Sequence, residues 1–254
     1  MPIGEIETHP YLIQGQINRA TKLILGSFPV YECTDQDNRL KQRNRLNEGT
    51  VRFFYGSNRN SLWTKYSQFI DNTINQPWNP NLILNSLEKR KIAVSDLIKS
   101  CERCSYKKNK RTGEKIAFPY SSEDSALRKK TWNREIVSQL LLNGVTKIIC
   151  TSKGVLSDLE KQIICYNRNP LGIKDNDLSM TFQSEFINEI GGNTNEIKND
   201  IGKVFIVENR KILAIAIPSP GSPQRQTHTF GCGEQERLIY AERYFEKAFN
   251  WLTE

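Results

Sequence analysis

The chain has 254 residues, a length that suits one large domain or two small ones. Hydrophobic residues make up 37% of it, enough to bury a core, and no apolar run is long enough to span a bilayer. The net charge of +8 attracts polyanions and makes nucleic acid the first partner to consider.

No Gly/Ser-rich or Pro-rich linker divides the chain, so a single domain over residues 1–254 is expected. The opening stretch, MPIGEIETHP, has no basic segment followed by an apolar one, so no signal peptide is expected and the expected location is cytoplasmic. Residues 22–26 (KLILG) form a short apolar run that ends in glycine, the pattern of a buried strand entering a structured loop. Residues 62–70 place Leu62, Tyr66, Phe69 and Ile70 at helical spacing. Residues 91–98 (KIAVSDLI) give a second strand, with Asp96 near its end. Residues 132–142 form a second amphipathic helix, and residues 145–150 (VTKIIC) a third strand followed at once by TSKG. Residues 203–207 and 211–217 flank ENR and predict a hairpin. A last helix over residues 234–252 carries Leu238, Ala241, Phe245, Ala248, Phe249 and Leu252 on one stripe. Residues 167–200 are polar and rich in Asn and Gly, and are expected to be an insertion that adds little sheet. Strands alternating with amphipathic helices imply an α/β fold with a largely parallel sheet.

Two stretches concentrate basic residues: 39–45 (RLKQRNR) and 103–115 (RCSYKKNKRTGEK). Either is equally well a solvated loop or a polyanion contact. The six cysteines, Cys33, Cys101, Cys104, Cys150, Cys165 and Cys232, are scattered and suit reduced thiols. Cys101 and Cys104 make half of a zinc or iron–sulfur pattern, but no second close pair accompanies them, and no metal or other cofactor is expected.

Three loops concentrate the functional signals. GSFPVYE (26–32) and PSPGSPQRQ (218–226) follow strands, and RFFYGSNRNSLW (52–63) packs Arg, Gly, Ser and Asn between aromatics. Ligands of α/β sheets bind beyond the carboxyl ends of the strands, where such loops lie. Aromatics, amides and a cation in one short loop suit neither a core strand nor a disordered linker, although Trp63 reads better as a core residue of the helix that follows.

In this order the segments resemble the uracil-DNA glycosylase superfamily, closest to its hypoxanthine-DNA and mismatch-specific branches. LILGSFP (23–29) is similar to the first motif, FYGSNRNSLW (54–63) to the aromatic stretch ending in N-x-F-W, and IPSPGSPQR (217–225) to the second motif. AVSDLIKSCER (93–103), EDSAL (123–127) and IICTSKGV (148–155) fall between them in the family's order. The resemblance implies a three-layer α/β/α sandwich around a central, largely parallel four-stranded sheet. It further implies a monomeric, monofunctional DNA glycosylase that flips a deaminated or modified base out of the duplex and hydrolyses its N-glycosidic bond.

On that resemblance Asn60 and Ser27 are the candidate catalytic residues. Gly26, Phe28, Pro29, Tyr55, Asn58 and Asp96 would hold the base, with Phe28 or Tyr55 stacking on it. Arg59, Pro218, Ser219, Pro220, Ser222 and Arg225 would contact DNA. The departures are specific. Ser27 and Phe28 stand where several branches carry an Asp or Asn, Ile217 replaces the histidine before Pro-Ser, and Ser95 replaces the tryptophan before Asp96. Three alternatives follow: a hypermodified phage base as the substrate in anti-phage defence, a non-catalytic lesion binder, or an iron–sulfur branch built on Cys101 and Cys104.

Overall fold

Short runs of Ile, Val and Leu with no polar interruption bury both faces of a strand, and such strands form the centre of the molecule. The computed structural model describes residues 6–34, 49–118, 126–165, 170–197 and 200–254. The basic stretch at 39–45 and residues 123–125 of the EDSAL segment lie outside the described residues.

In chain order the elements are β1 (Ile6–Thr8), β2 (Lys22–Gly26), α1 (Tyr31–Thr34), α2 (Leu62–Phe69), α3 (Pro80–Lys89), β3 (Ile92–Asp96) and β4 (Ile98–Arg103). A small ribbon of β5 (Ser105–Lys108) and β6 (Lys115–Phe118) follows, then β7 (Leu127–Trp132), α4 (Arg134–Leu142), β8 (Lys147–Cys150) and α5 (Lys153–Ile164). The chain ends with β9 (Gly172–Asp175), α6 (Asn176–Glu189), β10 (Gly202–Val207), β11 (Arg210–Ala216), α7 (Pro223–Gln226) and α8 (Arg237–Thr253).

The fold is α/β, built on a mixed six-stranded sheet of order β3-β2-β8-β11-β10-β9. The sheet is larger than the four strands expected. Its first four members are mutually parallel, and β10 and β9 extend it by antiparallel pairing. Chain direction reverses across β10–β11 through Glu208 and Asn209, both with positive φ (47° and 61°), the geometry of a two-residue hairpin turn. Helix α3 packs on β3, α5 on β8, β9 and β11, α6 on β9 and β10, and α8 on β8.

Residues 167–200 do more than interrupt the fold. They supply edge strand β9 and the 14-residue helix α6, which Asp175 caps by accepting the Leu178 N–H at 3.0 Å. Lys174 and Lys203 both pair with Glu160 and Asp200, tying this segment to α5 and β10. A side chain at Gly172 would stand 2.2 Å from the Ile206 carbonyl, so the close approach of β9 to β10 requires glycine there.

The 91–98 run, expected as one strand, divides at Leu97. β3 ends at Asp96 in the large sheet, and β4 starts at Ile98 in a separate three-stranded sheet of order β1-β4-β7. The Leu97 and Ile98 N–H groups donate to the Gly26 and Ser27 carbonyls, at 2.8 and 3.0 Å. The chain thus changes sheets while still bonded to the loop that leaves β2. Among the described residues no helix is long and apolar enough to cross a membrane.

Candidate functional site

Taken in chain order, the parallel strands β2, β3, β8 and β11 lie in the spatial order second, first, third, fourth. The switch point falls between β2 and β8, where connections leave in opposite directions, the position at which α/β sheets bind their ligands. Four segments end there: Gly26–Pro29 after β2, Asp96–Leu97 after β3, Thr151–Lys153 after β8 and Ile217–Ser219 after β11. Hydrogen bonds from Thr151 N to Leu25 O (2.9 Å) and from Ile217 N to Cys150 O (2.8 Å) carry the ladder to this edge.

Asp96 is the chemical centre of this edge. It is 2% exposed and bonded on both carboxylate oxygens. Tyr55 Oη donates to Oδ1 at 3.2 Å, and His9 Nε2 donates to Oδ2 at 2.8 Å. The His9 tautomer follows from its other nitrogen: Nδ1 accepts the Tyr11 N–H at 3.1 Å, which leaves the ring proton on Nε2. Asn133 Nδ2 donates to the Asp96 carbonyl (2.9 Å) and to Ser95 Oγ (3.1 Å), fixing the strand end. Burial, and then the negative charge of Asp96, push the Tyr55 phenol well above its usual range, so Tyr55 remains a donor at any physiological pH.

Gly26 faces this pair directly. In register it lies beside Asp96, and a Cβ on it would stand 1.9 Å from Tyr55 Oη and 2.2 Å from Asp96 Oδ1. Glycine is therefore required by the close packing of the Tyr55–Asp96 pair against the backbone. Tyr55 itself holds φ at +53°, a left-handed conformation that costs a non-glycine residue stability and here aims its ring across the strand end.

The aromatic–amide loop divides into an anchor and a rim. Phe53, Phe54 and Trp63 are fully buried, and Trp63 Nε1 donates to Phe54 O at 2.6 Å. Trp63 is thus the core residue the sequence suggests. Tyr55 is half-buried, while Asn58 and Arg59 are exposed. Asn60 is half-buried and caps the start of α2, its Oδ1 accepting the Leu62 N–H at 2.9 Å. Ser57 Oγ donates to Glu32 Oε2 at 2.8 Å and braces the loop from below.

The PSPGSP turn docks onto the same loop. The Pro220 carbonyl accepts both Ser61 N–H (3.0 Å) and Ser61 Oγ–H (2.8 Å). Gly221 forms an open tip, with no atom within 4 Å of where a Cβ would stand. Ser219 N–H is held by Gln226 Oε1 at 3.0 Å, and Ser222 N–H by the Ser219 carbonyl at 3.0 Å. Pro218 is buried, Ser222 half-buried and Arg225 exposed. The three loops singled out in the sequence therefore share one edge of the sheet.

Phe28 departs from its expected place. It is 7% exposed and packs with Ile98, Cys101 and Leu127 in a small second core. The Arg103 guanidinium lies 5.5 Å from its ring centroid. Arg103 is itself buried, donates to the Pro29 carbonyl at 2.6 Å and pairs with Glu7 at 2.9 Å. With its ring covered, Phe28 fixes the turn from Gly26 to Pro29, whereas Tyr55 is half-buried and packs against Trp63. Ser27 is half-buried on that turn.

Two contributors went unnoticed in the sequence. His9 reaches the site because β1 pairs with β4 and His9 N–H donates to the Lys99 carbonyl at 2.9 Å. Its only sequence signal is that the chain has just two histidines. Lys153, in the TSKG segment after β8, donates to the Thr229 carbonyl and lies 4.5 Å from the Phe230 ring centroid. Burial pushes its ammonium pKa down to about 8. Cys101 and Cys104 are both buried, Cys101 in the small core beside Phe28. Among the described residues no three His, Cys, Asp or Glu side chains gather as a metal site.

No family model matches the chain, and no curated protein and no solved structure is significantly similar to it.

Proposed function

We propose that the protein is a monofunctional DNA glycosylase, which extrudes one base from the duplex and hydrolyses its N-glycosidic bond. The observation that carries this is a buried, doubly hydrogen-bonded Asp96 at the carboxyl edge of the parallel strands, with Gly26 and Tyr55 packed against it and the PSPGSP turn docked onto Ser61 of the Tyr55 loop. The four mutually parallel strands, with helices packed on the sheet, suit the largely parallel sheet expected of the superfamily that the motifs resemble.

Cleavage of a glycosidic bond leaves a sugar with oxocarbenium character and an anionic base. The most effective help is fixed charge and dipoles that need no rearrangement as the bond breaks. Asp96 supplies the negative charge that the first motif lacks, from the neighbouring strand and at the same register as Gly26. His9 and Tyr55 hold that carboxylate in place by donating to both its oxygens. The half-buried Tyr55 ring offers the stacking face for the flipped base, replacing part of the stacking lost on extrusion. Asn60 Oδ1 is taken up by the Leu62 N–H, so Asn60 meets the base or water through its amide N–H donors. The open Gly221 tip and exposed Arg225 and Arg59 meet the strand on either side.

The same capping role of Asn60 favours a second reading, a lesion binder without catalysis. Mass spectrometry of bases freed from duplexes separates the two. The duplexes carry uracil, hypoxanthine, thymine opposite guanine, or hydroxymethylated or glucosylated cytosine. Release of one free base, with an alkali-labile site left in the strand, supports the glycosylase and names its substrate. Binding without release from any duplex supports the lesion binder.

A further inference from the structure

Between β4 and β7 the chain leaves the body as a two-stranded ribbon, β5 paired with β6 through four residue pairs from Ser105↔Phe118 to Lys108↔Lys115. It belongs to neither of the larger sheets. Its tip is well formed. Asn109 N–H donates to the Glu114 carbonyl at 2.8 Å, and Asn109 Oδ1 accepts the Arg111 N–H at 2.9 Å. Gly113 turns the chain at φ +72°, and no atom lies within 4 Å of where its Cβ would be, so the tip projects into open space.

The tip carries Lys110, Arg111 and Lys115, all exposed and without an ion pair among the described residues. The one acid there, Glu114, accepts the Thr112 hydroxyl at 3.2 Å. Asn109 to Glu114 (NKRTGE) includes no apolar side chain that could enter a lipid interface. The root is next to the candidate site, since β4 starts two residues after Asp96 and its Ile98 N–H bonds to the Ser27 carbonyl. Ten residues lead from Ile98 through β4 and β5 to Lys108, so at about 3.3 Å per residue the tip lies at most about 33 Å from Ile98. That is close to one turn of B-form DNA, about 34 Å. A two-stranded ribbon is also one of the elements the B-form major groove admits.

We infer that the β5–β6 ribbon is a second DNA contact, which lays its basic tip in the major groove of intact duplex about one turn from the extruded base. The inference rests on DNA being the substrate. It assigns the 103–115 stretch a role in holding flanking duplex, separate from the chemistry at Asp96.

The test measures binding of 12-bp and 30-bp DNA duplexes, each with one central tetrahydrofuran abasic-site analogue, by fluorescence anisotropy across a salt series. It compares the parent with the triple variant Lys110→Ser, Arg111→Ser, Lys115→Ser. A 12-bp duplex centred on the site extends about 20 Å to each side, short of the ribbon tip, whereas 30 bp extends about 50 Å. The parent should bind the longer duplex about tenfold more tightly after correction for the number of sites, and the variant should lose that gain. The slope of log Kd against log salt on 30 bp should fall by about 2 to 3, one unit for each phosphate no longer neutralised. Base release from a 12-bp substrate should be the same in both proteins. An unchanged slope and length dependence in the folded variant would overturn the inference, as would an equal gain on a 30-bp RNA duplex, whose deep, narrow major groove excludes a ribbon. A reduced slope in a protein that releases no base would retain the ribbon contact and remove the glycosylase. Base release with an unchanged slope would do the reverse.

Discussion

Gly26→Ala tests how closely the Tyr55–Asp96 pair is packed against the end of β2. The added methyl group would stand 1.9 Å from Tyr55 Oη, 2.2 Å from Asp96 Oδ1 and 2.9 Å from Tyr55 Cζ. To restore contact near 3.4 Å the phenol must retreat by about 1.5 Å, which breaks its 3.2 Å bond to Asp96. Overpacking of this kind costs about 1–3 kcal/mol, and a hydrogen bond to a charged group contributes about 1.5–3 kcal/mol. A combined loss of about 4 kcal/mol lowers the melting temperature of a chain this long by about 8–16 °C. Calorimetry gives the melting temperature, and base release from a modified duplex gives the activity, which should fall with it. Tyr55→Phe removes the nearest clashing atom, so Gly26→Ala should cost at least about 1 kcal/mol less in that background. A Gly26→Ala protein that melts within about 2 °C of the parent with unchanged activity would refute this packing.

Two further outcomes are expected. Arg103→Ala leaves Glu7 buried without its partner and frees the Pro29 carbonyl. It should cost about 3–5 kcal/mol in denaturant unfolding, with Arg103→Lys recovering only part because a lysine cannot reproduce the forked contact. Burial opposes ionisation of Asp71, but hydrogen bonds from Ser86 and Thr73 and the charge of Arg90 outweigh it and hold Asp71 down to about 2, against 3.8 ordinarily. A depressed carboxyl stabilises the fold above its unfolded pKa and loses that contribution as pH falls through the folded one. Asp71→Asn should therefore be less stable at pH 7 by about 1 kcal/mol after solvent screening, with the two proteins converging near pH 2 in acid titrations of stability.

Five of the six strands of the sheet were legible as short apolar runs with a clear stop, and the β10–β11 hairpin because ENR separates two such runs, whereas β9 (GIKD) has no apolar run to show. Its site-bearing edge was legible as three loops. Their meeting was not, because Ser61 and Pro220 touch across 159 residues. Asp96 was visible only as a strand-end acid, since its partner His9 lies 87 residues away, just past a three-residue strand too short to show a period. The division at Leu97 was hidden because an apolar run looks the same whether it stays in one sheet or passes to another. Helix α6 was missed because it buries only Ser179, Phe186 and Ile187, leaving no apolar stripe in a polar stretch. Phe28 looked like a stacking face because sequence does not show that Arg103 covers it.

In the proposed mechanism the buried Asp96 carboxylate assists cleavage of the glycosidic bond. Single-turnover base release by the parent, Asp96→Asn and Asn60→Ala tests it most directly, with duplex binding measured on the same preparations. Asp96→Asn keeps the size of the side chain and removes its charge, so release should slow by about 10²- to 10³-fold, the usual cost of losing one preorganised electrostatic contact, while binding is retained. Asn60→Ala should slow it less, since Asn60 Oδ1 is already held by Leu62. Release at the parental rate by a folded Asp96→Asn protein would contradict the role of the carboxylate, and no release by the parent from any modified duplex would contradict the glycosylase itself.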